Sequence, residues 1–335
     1  VLNEKERLLA ILQGEDVDRP AVICPGGMMS AATTKVLEKF GDRFHSDPGP
    51  MADAALEIRR TTGFENLGVP FCLTVEAEVL GSRVDPGDAS VEPLVTEYGA
   101  ATLDEMLNLP DPSFQRDGRL SAVTDAIGLL AEKSEETPII GNLTGPISLA
   151  TSIMDPMIFF RLMGKEKQGV HRVLDRLIDF LVRFAREQIR AGAHVISIAD
   201  PSATGDILGP ANFRAFVVPG LNRLAAEIRR AGAGCIIHVC GRAGTIVDEF
   251  NDIGSAALSF DSMVSMKKVR DRVPGPPLMG NLSTHMLHTN TPGKINRATR
   301  RNMESGVEIV SPACGISLST PHENLRAMTD TVKGL

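Results

Sequence analysis

The 335 residues carry 35 basic and 42 acidic side chains, a net charge of -7 with no long run of either sign, so there is no basic footprint for nucleic acid. No window reaches about 18 apolar residues without a charge, and the opening Val1-Leu2-Asn3-Glu4-Lys5-Glu6-Arg7 is charged rather than signal-like; a soluble cytoplasmic protein with no membrane partner is the expectation. Five scattered cysteines do not make a disulfide framework, and with no Trp and one Tyr neither an aromatic cage nor a base-stacking platform is expected.

Asn3 caps a helix running through about Gln13, with Leu8, Leu9, Ile11 and Leu12 on its apolar side and Gly14 stopping it. After Asp18-Arg19-Pro20, the run Ala21-Val22-Ile23-Cys24 reads as a first strand, ended by Pro25-Gly26-Gly27. Helical patterns follow over 32–40 and 51–62, and Asn66-Leu67-Gly68-Val69-Pro70 fits a second strand. From 78 to 99 the residues alternate and turn at Pro86-Gly87-Asp88, which predicts a β-hairpin inserted after strand two.

An amphipathic helix over 117–134 leads to a third strand, Thr137-Pro138-Ile139-Ile140-Gly141-Asn142-Leu143. Two short helices and a long one over 166–190 come next, then a fourth strand over 193–199 closed by Asp200-Pro201. Pro210 opens a helix through Arg230. Strands five to eight fall at 234–239, 256–260, 277–281 and 308–310, with helices over 266–272, 292–305 and 322–333 between or after them.

Eight strands alternating with helices is the count of a TIM (β/α)8 barrel, an α/β fold that reaches this length as one domain, here 1–335 with an N-terminal helical segment. An open doubly wound sheet is the competing fold. Against it, Pro25-Gly26-Gly27-Met28 lacks the G-x-G-x-x-G spacing of a dinucleotide site.

Strand five carries the chemistry. In Cys235-Ile236-Ile237-His238-Val239-Cys240-Gly241, the period of two puts His238 and Cys240 on one face and Cys235 on the other. Cys314 can add a third soft donor, and zinc takes such nitrogen and sulfur ligands, keeping a fourth position for substrate when the protein supplies three. The competing reading is that the cysteines are small buried hydrophobes and the histidine a satisfied core residue. Position favours the metal: residues just past barrel strands line the active-site mouth, and Asn142, Asp200, His238 with Cys240, Asp261, Asn281 and Cys314 all fall there. Asp261 or Asp200 is a candidate to orient His238, although a rim carboxylate can equally cap a helix or contact substrate. Cys24 and Cys72 read as packing residues, and His285 with His288 as an exposed helical pair.

Together these segments resemble a known family. The carriers are Glu6-Arg7-Leu8-Leu9 through Gly14-Glu15-Asp16-Val17-Asp18-Arg19-Pro20, the stretch from Ala199-Asp200-Pro201 to Gly205-Asp206, His238-Val239-Cys240-Gly241, Gly280-Asn281-Leu282, and Cys314-Gly315 with Thr320-Pro321. They resemble the uroporphyrinogen decarboxylase superfamily, more narrowly its cobamide methyltransferase branch, the methylcobamide:coenzyme M methyltransferases. The resemblance spans essentially the whole chain, and the family fold is a TIM barrel. It implies a zinc ion held by His238, Cys240 and Cys314, a thiol acceptor bound at the metal, and a methyl group delivered by a partner corrinoid protein. It also implies an acidic residue at the site, with Asp206 or Asp200 the nearest candidate. Met28 and Met29 beside Gly26-Gly27 can line an apolar pocket for the corrinoid ring or equally belong to a loop with no contact role, and Met28 with the rim residues Asn142 and Asn281 are the cofactor-binding candidates.

Where the decarboxylases carry an arginine-rich signature after the first strand, this chain has Cys24-Pro25-Gly26-Gly27-Met28-Met29, which would hold a polycarboxylate poorly. No D-x-H-x-x-G cobalamin motif is present, so the corrinoid is expected to arrive on another protein. Coenzyme M is the leading acceptor. Tetrahydrofolate, or a metal-independent decarboxylase, is the alternative.

Overall fold

The structure is a computed structural model describing residues 2–114, 118–254 and 257–335; the expected helix start at Asp117 and strand start at Ala256 lie outside the described residues. The short apolar runs form strands β1 (Ala21–Val22), β2 (Leu67–Val69), β5 (Ile139–Thr144), β6 (Val195–Ala199), β7 (Gly234–Val239), β8 (Ala257–Phe260), β9 (Leu278–Leu282) and β10 (Ile309–Pro312). All eight pair in parallel, in the order β1-β10-β9-β8-β7-β6-β5-β2. Strands β3 (Arg83–Asp85) and β4 (Leu94–Glu97) form the separate antiparallel hairpin inserted after β2.

The two ends of that order meet without a ladder. Instead the Asn66 side chain imitates a strand backbone: its Oδ1 accepts from Cys24 N–H at 2.8 Å and its Nδ2 donates to Cys24 O at 2.9 Å. Glu65 N–H donates to Val22 O and Gly27 N–H to Pro70 O on either side. The seam is tight enough that a Cβ on Gly68 would stand 1.9 Å from Pro25 O, so glycine is required there by space. This closure makes the sheet a barrel.

Strand parity divides the barrel interior. On seven of the eight strands the first inward residue is apolar, giving a floor of Ala21, Ile140, Val195, Ile236, Ala257, Met279 and Ile309; β2 turns Leu67 and Val69 outward and adds none. The helix Glu4–Gln13, closed by a capping box between Asn3 and Glu6, presses Leu8 and Ile11 onto the same floor. Each of those two buried side chains contributes about 1.5–3 kcal/mol. Two residues further along, the inward positions turn polar: Asn142, Ser197, His238, Ser259 and Ser311, all buried. The outward residues of β7, Cys235, Ile237 and Val239, join the core beneath the helices.

Several elements depart from the expectation. The helix over 32–40 shrinks to Thr34–Leu37 and a single 3-10 turn, Gly41–Arg43, since Phe40 and Gly41 leave the helical region. The stretch from 78 is not yet hairpin, because Val75–Val79 is helical and Glu76 is buried against Thr144 of β5. The helix to Arg230 starts at Gly205, not Pro210: Gly205–Asn212 is capped by Thr204, broken at Gly209 (φ 65°), and passes through a π turn into Val218–Arg230. Two 3-10 turns, Ala243–Thr245 and Val247–Asp252, occupy the connection from β7 to β8. No single helix among the described residues is long and apolar enough to cross a membrane.

Candidate metal centre

β7 ends at Val239, so the inward face that carries Ile236 and His238 continues to Cys240 just past the strand. β10 ends at Pro312, and Cys314 leaves the same end of the barrel two residues later. One ligand atom from each of His238, Cys240 and Cys314 lies within 4.8 Å of the others. His238 is fully buried, and both thiols are half-buried.

The two sulfurs are 3.4 Å apart, and Cys240 Sγ also lies 3.4 Å from Asp261 Oδ2. The contact with the Cys314 sulfur, together with burial, holds the Cys240 thiol far above its usual range, against the pull of His238. The same contact pulls Cys314 below its usual range; burial and the nearby carboxylates of Asp261 and Glu92 oppose it, and the Gly315 N–H assists it.

The donor set fits zinc. Imidazole and two thiolates are ligands zinc prefers, and the sulfur separation is close to the ~3.8 Å edge of a tetrahedron with zinc–sulfur bonds of about 2.3 Å. His238 Nε2 is buried with no hydrogen-bond partner, an orphan that a ligand would satisfy.

The other anticipated residues fall into two groups. Asp261 belongs to the centre: Gly241 N–H donates to its Oδ2 at 3.3 Å and Met263 N–H to its Oδ1 at 3.0 Å. Asn281 supports it by donating to the carbonyls of Asp261 and Val264, both at 2.9 Å. Met28 is half-buried in the loop after β1, with its carbonyl against Gly315. Asn142, by contrast, is a buried clamp whose Nδ2 donates to Pro25 O and Val69 O at 3.0 Å.

Asp200 is a helix cap. Fully buried, it accepts from Ile147 N–H, Ser148 N–H and Ser148 Oγ–H at 3.1, 2.8 and 2.6 Å, at the start of the helix Pro146–Ile153. Burial pushes its carboxyl up, against those hydrogen bonds. Asp206 is exposed in the first turn of Gly205–Asn212, where its N–H donates to Thr204 Oγ1 at 3.2 Å.

Neither Asp261 nor Asp200 hydrogen-bonds to His238 among the described residues. The partner of its ring is Ser259, whose Oγ lies 3.0 Å from His238 Nδ1. The signal for it is register: His238 and Ser259 are direct partners in the β7–β8 ladder. Two further residues were not singled out by the sequence. Glu92 turns back from the hairpin to line a small hollow with Asp88, Ser30, His45 and Ile316. Arg242, exposed and next to Gly241, makes no hydrogen bond or ion pair among the described residues.

The uroporphyrinogen decarboxylase (URO-D) family model matches residues 3–335. The chain belongs to this family. Methylcobamide:CoM methyltransferase MtbA of Methanosarcina acetivorans is 31% identical, over 98% of this chain and 97% of that protein. A methylated-thiol–coenzyme M methyltransferase of Methanosarcina mazei is 32% identical, over 98% of this chain and 88% of that protein. The solved structure of a methyltransferase from Methanosarcina mazei superposes with a TM-score of 0.91 at 29% identity, covering 100% of this chain and 99% of that one. These similarities place the chain on the methyltransferase side of the URO-D family.

Proposed function

We propose that this URO-D family methyltransferase moves a methyl group from a methylated corrinoid, carried on a partner protein, to a thiol acceptor, with coenzyme M the leading candidate. The observation that carries the reading is the convergence of His238 Nε2, Cys240 Sγ and Cys314 Sγ within 4.8 Å at the barrel mouth. The donor and acceptor classes follow the names of the relatives.

His238, Cys240 and Cys314 would hold the ion and leave a fourth position free. Zinc bound there supplies the positive charge that makes an incoming thiol a thiolate at neutral pH. Asp261, whose Oδ2 lies 3.4 Å from Cys240 Sγ, is the candidate to receive the proton the acceptor would give up. The acceptor sulfur then attacks the methyl carbon; a carbon–sulfur bond forms, the cobalt–carbon bond breaks, and its electron pair stays on cobalt. Met28 and the exposed Ile207 and Met263 give the mouth apolar surface against which a corrinoid face can lie.

The test is metal analysis of the purified chain together with demethylation of methylcobalamin by coenzyme M. About one zinc per chain with chelator-sensitive turnover is the expected result. Full activity in metal-free protein overturns the proposal, and demethylation with tetrahydrofolate but not with any thiol moves the acceptor to the alternative class.

A further inference from the structure

The two ring nitrogens of His238 meet different surroundings, and the difference has a source two contacts away. Nδ1 faces Ser259 Oγ at 3.0 Å, while Nε2 is buried without a partner. Ser259 makes a second contact: its Oγ lies 3.9 Å from Met29 Sδ, which can only accept. His238 and Ser259 are completely buried and Met29 nearly so, which leaves water little access to any of the three.

A hydroxyl has one hydrogen, and a thioether sulfur has none to give. With the Ser259 hydrogen directed to Met29, only lone pairs remain on Oγ for the histidine. Nδ1 must then carry the ring proton, and Nε2 is left as a bare lone pair on the side of Cys240 and Cys314. The opposite tautomer would aim an Nε2–H at the sulfurs of Cys240 and Cys314, which are weak acceptors, and turn the Ser259 hydroxyl from Met29 to Nδ1.

We infer that Met29 and Ser259 are positioning residues that fix His238 in the Nδ1–H tautomer before any cation arrives. Met29 is itself held in place: its carbonyl accepts from Cys24 Sγ–H at 2.9 Å and from Gly26 N–H at 3.2 Å. The adjoining Met28 carbonyl lies against Gly315, next to Cys314. One short loop after β1 therefore touches the support of both halves of the ligand set. The role of this pair in metal binding rests on the proposed metal site; the tautomer itself does not.

The experiment uses the full chain with 15N-labelled histidine, in wild type, Ser259→Ala, Ser259→Thr and Met29→Leu. The position of the His238 ring proton is read by NMR in chelator-treated protein whose fold is checked by circular dichroism, and zinc affinity is read by chelator competition. Wild type is expected to carry the proton on Nδ1. Ser259→Ala weakens zinc by about 10–100-fold, the usual consequence of removing such an outer partner. Ser259→Thr restores the hydroxyl and most of the affinity, whereas Met29→Leu keeps the volume, loses the sulfur and gives a mixture of tautomers.

A proton on Nε2 in wild type, or unchanged zinc affinity and ring protonation in Ser259→Ala, overturns the inference. If wild type binds no zinc at all, the metal reading falls, and the ring-proton measurement still decides the tautomer. If Ser259→Ala does not fold, wild type and Met29→Leu decide it.

Discussion

Gly315→Ala tests how rigidly the β1 loop and the β10 loop fix Cys314. A Cβ at this position would stand 2.4 Å from Met28 O, about 1 Å short of ordinary contact. Gly315 is not in the left-handed region, so the effect is one of contact and not of backbone strain. Met28 cannot easily retreat. Asn142 ties Pro25 O, and Cys24 and Gly26 tie Met29 O, on the same short loop. The displacement therefore falls on Cys314–Gly315, whose N–H also helps draw down the Cys314 thiol. A ligand set tolerates about 0.5 Å of displacement, so zinc affinity is expected to fall by ~10–100-fold. Overpacking removes about 1–3 kcal/mol of stability, seen as a Tm lower by roughly 1–4 °C for a chain of this size. Chelator competition and thermal unfolding measure the two effects. Gly244→Ala is the control, with nothing within 4 Å of its Cβ and little change expected. Wild-type affinity and Tm in Gly315→Ala would show that the loop gives way freely, and the reasoning would fail.

Cys240→Ser and Cys314→Ser should each lose zinc and turnover while keeping the wild-type circular dichroism spectrum; retained metal in either variant argues against the centre. Chelation should lower the Tm of wild type by the linkage term, about 3–4 kcal/mol where free zinc is 100–1,000 times its dissociation constant, and leave Cys240→Ser unmoved. Arg242→Ala should raise KM about 10-fold for a sulfonated thiol with kcat kept, and leave an uncharged thiol unaffected; equal effects on both would remove Arg242 from acceptor recognition. His45 supplies a pH prediction: burial, then the Arg119 guanidinium, push its ring down to about 3 against the pull of Glu92. Unfolded, the ring takes its proton near 6.5, so the unfolded chain binds more protons below that pH and stability falls by up to about 1.4 kcal/mol per unit toward 3. Urea titrations between pH 6.5 and 5 should show a shallower slope in His45→Gln, with His194, also lowered by burial, keeping a share. An unchanged slope refutes the assignment.

The barrel was legible because parallel strands buried on both faces are written as short apolar runs between turn residues. The parity of the candidate site was legible for a related reason: His238 and Cys240 sit two apart, and Cys235 faces the helices as the period requires. What the chain hides is the identity of partners. Asn142, Asn281 and Asp200 were placed on the right strands or just past them, but their polar atoms are met by backbone groups, with the side chains of Asn302 for Asn281 and Ser148 for Asp200. Ser259 carries no chemical signal until the register sets it beside His238. The Asn66 seam was invisible for the opposite reason, since a side chain does there what a ladder does elsewhere. The Gly209 break needed its φ of 65°, which a glycine in sequence permits but does not announce.

The supports of the centre occupy one continuous arc of the barrel. His238 and Cys240 come from β7 and Cys314 from the end of β10, while the intervening strands supply Ser259 and Asp261 from β8 and Asn281 from β9. The opposite arc directs polar groups into its own structure. Asn142 of β5 clamps Pro25 and Val69, Thr144 is met by Glu76, and Asp200 after β6 closes a helix. Groups already engaged in this way have little left to offer a ligand without breaking buried hydrogen bonds. Charged parts of an acceptor are then expected to find their contacts on the β7–β10 arc, where Arg242 makes no side-chain hydrogen bond or ion pair among the described residues. That asymmetry gives an acceptor with an anionic tail one side to approach, the side on which the three ligand atoms converge.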